Sequence, residues 1–574
     1  MPPDSRSIYN VNVGVLGHVD SGKTSLVAAL SQRLSTAALD KHPQSKQRGI
    51  TLDLGFSSLS VPTPPHLQGL GCAEVQFTLV DCPGHASLIR TILGGAHIID
   101  MMLLVVDVTK GIQAQTAECL VVGEIAIQHM VVVLNKVDLL PAESRGKLVS
   151  KARKRLAQTF AATKFAGCPM LAVSSLPGEG EEAVEEQLAY FNSIVNQLLL
   201  LVPPEPRSVE GSFLFAIDHC FAIKGQGTVL TGTVLKGKAS VNDTIELAGL
   251  RLKKKIKSMQ MFKQPVQQCQ QGDRAGICVT QLDPDALERG LACAPGSLPS
   301  FSAAVAAVEK VRFYAAPIHS KAKLHITVGH TTVMAETQFF GLPHGSKAAE
   351  PDQAAALQAA GQRVERLAQA GSGEAFDLSQ DYLHQDQLHG LEGRPCAEAS
   401  SREAGAAPSS SPQQRLHFGP QWALLRFEQP VTAPQDTLVI GSRFDGDASG
   451  ASCRQAFYGR LVHLLDTGDP QQLQQLRIFK LKQRRGIVER ISPDKQSAVC
   501  RGMFKKDTDI SLFSNLKVEC CGGQTGTIEG AFGKAGKFKV AFPNGLKGAA
   551  DKMQEITLKF KRFMHDPDKH HMVQ

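Results

Sequence analysis

The sequence predicts a multidomain protein: an α/β P-loop domain, two small β-barrel domains after it, and a basic, mainly-β domain at the C-terminal end. Three observations carry that expectation. Gly17-His18-Val19-Asp20-Ser21-Gly22-Lys23-Thr24 matches the phosphate-cradling pattern G-x-x-x-x-G-K-[ST] between a strand-like and a helical run. After Leu201-Val202-Pro203-Pro204-Glu205-Pro206 the texture changes from alternating strands and helices to short β-rich runs split by glycine. The formal charge of +8 is uneven: residues 477–574 hold 20 Lys plus Arg against 10 Asp plus Glu, and the rest of the chain 42 against 44.

The first domain is assigned to residues 1–202. Val11 to Leu16 reads as a buried strand and Ser25 to Leu34 as the helix after the loop. In that context the backbone N–H groups of Asp20, Ser21, Gly22 and Ser25 and the helix N-terminus face phosphates. Lys23 is placed to reach the β- and γ-phosphates and the Thr24 hydroxyl to ligate Mg²⁺. Asp81-Cys82-Pro83-Gly84-His85 follows the apolar run Val75 to Val80, so Asp81 is a candidate for the metal shell. Gly84 lets backbone approach a γ-phosphate closely. Asn135-Lys136-Val137-Asp138 ends a third strand. The Asp138 carboxylate there accepts from guanine N1 and its 2-amino group, a pair of donors adenine lacks. Ser174 and Ser175 end a fourth strand and close over the base. The nucleotide expected is therefore GTP or GDP. Arg48-Gly49-Ile50-Thr51 lies where a segment ordered by the γ-phosphate belongs, with Thr51 a second Mg²⁺ ligand or an ordinary surface threonine. His85 is placed to orient the attacking water; a helix-start histidine is the plainer alternative.

Residues 203–299 and 300–474 read as the two barrels, from short strands such as Phe213 to Ile217, Gly227 to Val234 and Val308 to Phe313. The second is interrupted from about 344 to 414 by a stretch rich in Ala, Gln, Gly, Ser and Glu, expected to be mostly disordered. Tyr382-Leu383-His384 within it is a candidate docking element. Residues 475–574 form the basic domain. In Gly533-Lys534-Ala535-Gly536-Lys537-Phe538-Lys539-Val540 the lysines alternate with apolar residues, which puts them on one face of a strand. That face suits a phosphate backbone, or else blunts an edge strand.

Composition narrows the function classes. Hydrophobic content of 43% and charged content of 20% describe a globular chain. Met1 to Asn10 is polar with two prolines and does not read as a signal peptide; Ile98 to Val108 is too short for a membrane span, which needs about 20 apolar residues. A cytoplasmic and additionally nuclear location is expected, with no membrane partner. The 13 cysteines show no C-x-x-C pair and read as reduced thiols rather than a zinc site.

The strings G-H-V-D-S-G-K-T, R-G-I-T, D-C-P-G-H and N-K-V-D together resemble the translational GTPases related to elongation factor Tu. That resemblance implies GTP hydrolysis triggered by the ribosome, with His85 acting behind an apolar gate of Val19 and Ile50. Ser21 departs from the family, which usually has histidine there. In the first barrel, Asp218-His219 stands where general elongation factors have two acids, and Arg274 where the bacterial factor has asparagine. Both changes are read as pushing an aminoacyl pocket toward positive potential. Selenocysteine carries a selenolate at neutral pH while cysteine and serine stay largely protonated, so an Arg–His site selects the anion, with Asp218 orienting His219. These residues, the basic fourth domain, Phe504-Lys505-Lys506 and the 533–538 string resemble the selenocysteine-specific elongation factors of eukaryotes. The resemblance implies delivery of selenocysteinyl-tRNA to the ribosome at recoded UGA codons, an adaptor protein reading the messenger-RNA element, and a monomer. Two other readings stay open: an initiation-factor gamma-like GTPase, whose zinc-type cysteine insertion is absent, and a non-translational RNA-binding regulatory GTPase.

Overall fold

The computed structural model describes residues 8–31, 33–34, 54–83, 93, 96–161, 163–175, 181–343, 376–390, 420–444, 453–466, 468–520, 523–533, 536–546, 554–566 and 572–574. The first unit is a seven-stranded sheet. Its strands are β1 (Ile8–Gly17), β2 (Arg33–Leu34), β3 (Gly55–Pro62), β4 (Glu74–Asp81), β5 (Met101–Asp107), β6 (His129–Asn135) and β7 (Met170–Ala172), in the order β2-β3-β4-β1-β5-β6-β7. From β4 to β7 the neighbours run parallel, and the valine-rich β1, β5 and β6 are buried on both faces. Helices Lys23–Leu30 and Glu181–Leu201 cover one face; Ala114–Ala126 and Arg145–Phe160 cover the other. The sheet is not wholly parallel. β3 runs antiparallel to β4, because the link between them holds one 3-10 turn, Pro65–Leu70, and no crossover helix. The helix after the phosphate loop ends at Leu30, short of the predicted Leu34.

Beyond the proline-rich link come three closed barrels. The first contains β8 (Leu214–Ile223) and β9 (Gly227–Lys236) and closes where Thr244–Leu247 pairs with Leu252–Met261, around Phe215, Leu230, Ile245, Ile256 and Ile277. The second closes where Lys323–Val328 pairs with both Thr331–Gly341 and Leu438–Ser442. Helix Ala114–Ala126 lends it Val121 and Ile125, and two bidentate ion pairs flank that contact. Arg454 Nε and Nη2 meet Glu118 at 2.7 and 2.8 Å, and Arg312 Nη2 meets both oxygens of Glu124 at 3.0 and 3.1 Å. The third is the basic unit, where Ile478–Ile491 pairs with both Ser497–Arg501 and Glu555–Phe563.

Two expectations are refined by the structure. Within the 344–414 stretch the candidate docking element Tyr382-Leu383-His384 forms the strand Tyr382–Gln385, and Tyr382 is buried. Phe376, Leu378 and Leu388 supply it with apolar contacts that a composition average conceals. In the basic unit Phe538 and Val540 point inward as predicted, but Lys537 pairs with Glu489 at 2.8 Å and Lys539 with Glu529 at 3.0 Å. The positive charge of that strand is therefore partly answered by the protein itself.

Every described cysteine is a free thiol, and among the described residues no three His, Cys, Asp or Glu side chains group as a metal site. Among them, too, no helix is long and apolar enough to cross a membrane.

Candidate nucleotide and aminoacyl sites

β1 ends at the phosphate loop because Gly17 and Gly22 both hold positive φ. Gly22, at φ +88°, is the residue before helix Lys23–Leu30, and a Cβ there would lie 2.2 Å from Asn135 Nδ2. Lys23 is buried, and its Nζ donates to the His18 carbonyl at 2.8 Å inside the loop. The Thr24 hydroxyl donates to Asp81 Oδ2 at 2.7 Å. These two candidate metal ligands thus converge from helix and strand end, and hard oxygen donors suit Mg²⁺. Gly84, His85 and Thr51 lie outside the described residues.

The base side is locked to the phosphate side by Asn135, buried at the end of β6. Its Nδ2 donates to the Ser21 carbonyl at 2.9 Å, and its Oδ1 accepts from Ser175 N at 3.1 Å and Ser175 Oγ at 2.6 Å. Lys136 adopts φ +67°, and its ammonium meets Asp107 Oδ2 at 3.0 Å. Burial opposes ionisation of Asp107, but hydrogen bonds from Thr109 and Lys136 outweigh it and hold the carboxyl below its ordinary range. Asp138 is exposed, and its Oδ1 accepts from Ser174 Oγ at 2.7 Å. The proposed guanine acceptor and the serine expected to close over the base are therefore neighbours. Asp107 was missed in the sequence, although it ends an apolar strand just as Asp81 does.

The second constellation sits where β8 meets β9. A register shift between Ile217 and His219 makes Asp218 the bulged residue. A regular strand would send residues 218 and 219 to opposite faces; the bulge lets His219 Nδ1 meet Asp218 Oδ1 at 3.0 Å. Arg274, the first residue of strand Arg274–Val279, donates from Nη1 to Asp218 Oδ2 at 2.5 Å, and Thr231 Oγ1 donates to Oδ1 at 2.9 Å. Burial alone would raise the Asp218 pKa, yet the Arg274 charge and the His219 and Arg274 hydrogen bonds bring it down to about 2. The expectation of a positive cup is modified accordingly: the carboxylate answers the guanidinium. Arg274 Nη2 is a buried donor with no hydrogen-bond partner, and the His219 ring on the same carboxylate is partly exposed.

Arg274 also reaches into the first unit, its guanidinium carbon 3.1 Å from the ring centre of Phe56 on β3. Next to it, Asp273 Oδ1 accepts from Asn10 Nδ2 at 2.7 Å and the Gly272 carbonyl from Asn12 Nδ2 at 3.1 Å. Phe56, Thr231 and Asn10 carry no motif, so nothing in the sequence marks them.

Comparison with known proteins places the chain in a lineage. The Elongation factor Tu GTP binding domain matches residues 9–218 and Elongation factor Tu domain 2 residues 227–292. The third domain of eukaryotic selenocysteine-specific elongation factors matches 305–459, and the eEFSec C-terminal RIFT domain 474–555. The mouse selenocysteine-specific elongation factor is 48% identical over 557 residues, 96% of this chain and 91% of that one. The Methanocaldococcus jannaschii selenocysteine-specific elongation factor is 36% identical over 58% of this chain and 66% of its own. Among solved structures, the elongation factor SelB of Methanococcus maripaludis, in complex with a GTP analogue, shares the fold with a TM-score of 0.64 at 22% identity, covering 97% of this chain and 99% of that one. The chain, with its P-loop unit, its three barrels and the Asp218–His219–Arg274 cluster, belongs to the family of selenocysteine-specific elongation factors.

Proposed function

We propose that this protein binds GTP, carries selenocysteinyl-tRNA to a ribosome paused at a recoded UGA codon, and hydrolyses GTP to GDP and phosphate there. The observation that carries the reading is the cluster at the β8 bulge: one carboxylate holding an arginine, a histidine and a threonine, with a guanidinium N–H left over. Arg274 Nη2 and the His219 ring hold the selenolate by charge-assisted hydrogen bonds. A protonated thiol or hydroxyl gains less from the same donors, so discrimination rests on charge where size differs little.

In the first unit, Lys23 and the loop amides hold the phosphates, Asp138 reads guanine, and His85 orients the attacking water. Thr24, Thr51 and Asp81 hold Mg²⁺, which when bound neutralises charge on the β- and γ-phosphate oxygens. Residues 475–574 contact the RNA and an adaptor protein that reads the messenger-RNA element; the protein works as a monomer in the cytoplasm and also enters the nucleus.

The test loads one tRNA with selenocysteine, cysteine or serine and follows hydrolysis of the ester bond in the presence of the GTP-bound protein. Selective protection of the selenocysteinyl ester is expected. Equal protection of all three refutes charge selection, and a GTPase rate indifferent to ribosomes favours the regulatory reading.

A further inference from the structure

The 344–419 excursion leaves and rejoins the second barrel at one point. Gly341, its last strand residue before, lies opposite Gln421, its first strand residue after. Residues 376–390 come back to the same strand end, with Leu383 opposite Gly341, and lie between that barrel and the basic unit. Strand Tyr382–Gln385 runs antiparallel to Thr331–Gly341 on one side, pairing Phe340 with His384. On its other side it runs parallel to the first strand of the basic unit, pairing Tyr382 with Ile478 and Leu383 with Phe479. Those two outer strands do not pair with each other, so among the described strands this short one alone makes them one continuous sheet.

The anchoring is two-sided. Asp381 takes Arg477 Nε at 2.7 Å and Lys561 Nζ at 2.7 Å, both from the basic-unit side. Tyr382 stacks into an aromatic nest, its ring 5.3 Å from Phe340, 5.2 Å from Trp422 and 5.4 Å from Phe376. Ser320 of the barrel donates to the Gln385 carbonyl at 2.6 Å, and Leu388 pairs with Ile318.

We propose that residues 376–390 are a clip: a ligand carried by the chain itself, whose docking places Tyr382 and Leu388 in the apolar clusters it meets and fixes the angle of the basic unit against the second barrel. Its seat accepts an extended segment by main-chain pairing, with an aromatic pocket and a cationic pair for adjacent side chains, which is recognition by strand addition. Stretches of 32 and 29 residues join it to the barrel, so its docking is an intramolecular binding event at an effective concentration on the order of 1 mM.

Trp422 is the chain's one tryptophan and reports on the seat directly. In the full-length chain, Asp381→Ala with Tyr382→Ala is expected to red-shift Trp422 emission. It is also expected to broaden the distance distribution between fluorophores placed on the second barrel and the basic unit, while GTP titration is unchanged. In a second variant a two-residue Asn-Gly turn replaces 343–419, which the Gly341–Gln421 pairing permits. A synthetic peptide of residues 376–390 should then bind with a midpoint of about 10–100 µM, below the effective concentration of the attached segment. It should restore the narrow distance distribution, and the doubly substituted peptide should not. A narrow distribution in the full-length double variant overturns the proposal. So does the absence of a saturable peptide response up to about 1 mM. Should the shortened chain fail to fold, faster amide exchange at 382–385 and 478–479 in the full-length double variant supports the clip, and unchanged exchange overturns it.

Discussion

Removing the Arg274 guanidinium should invert the pH response of the first barrel. In the intact protein Asp218 is moved from an ordinary 3.8 to about 2, which contributes roughly 2 kcal/mol of folding free energy at neutral pH. A depressed carboxyl pKa stabilises above the unfolded value, so this contribution is present at pH 7 and is lost as pH falls from about 4 to about 2. Arg274→Ala leaves the carboxylate buried with only His219 and Thr231 as donors, and breaking a buried pair from one side costs about 3–5 kcal/mol. Burial then dominates, and proton uptake by the Asp218–His219 pair relieves it, so the variant should gain stability between pH 7 and pH 5. The double change Asp218→Asn, Arg274→Met should cost much less than the single one, since no charge is stranded. A multidomain chain does not unfold in two states, so the measurement is amide exchange in strands Leu214–Ile223 and Arg274–Val279 rather than a global melt. A loss under about 1 kcal/mol in Arg274→Ala, or a further loss on acidification, refutes the argument that the guanidinium holds Asp218 ionised.

Other changes test the remaining contacts. Gly22→Ala forces φ +88° on a residue with a Cβ and drives that Cβ into Asn135, so GTP affinity should fall about 10–100-fold by fluorescent-nucleotide titration. Asn135→Ala strands the Ser21 carbonyl and the Ser175 hydroxyl, a cost of about 2–3 kcal/mol, and the same titration should show about 30–150-fold weaker binding. Replacing Arg454 and Arg312 together by alanine should release the second barrel from helix Ala114–Ala126, visible as a larger radius of gyration in X-ray scattering with the sheet intact. Burial, with Arg426 beside it, lowers the His565 pKa to about 4. A depressed histidine is neutral when folded, so stability at the seam between second barrel and basic unit should fall as pH drops from about 6.5 to about 4, read as faster exchange there at pH 5 than at pH 7.

The nucleotide site was legible because its chemistry demands residue types at strand ends: glycines where φ is positive, a carboxylate after an apolar run, an asparagine before a turn. The barrels were legible as texture, through glycine-split β runs. What stayed hidden depends on neighbours distant in sequence. Phe56 under Arg274 and Asn10 on Asp273 follow from how two units pack. The neutralising reach of Asp218 depends on a bulge that alternation cannot announce. Tyr382-Leu383-His384 stood out as a docking element, but its partners did not: they lie in strands distant in sequence, Phe340 opposite His384 and Ile478 opposite Tyr382.

The His389 N–H, which donates to Gln421 Oε1 at 3.1 Å, also makes the second barrel a convenient host. A segment whose two roots stand side by side, as those of 391–419 do, can be lengthened without pulling on the strands that flank it, and each doubling of such a loop costs only about 0.6 kcal/mol. A fluorescent protein or affinity module spliced into 391–419 would ride on the factor while leaving its three β-barrels and its phosphate loop as they are.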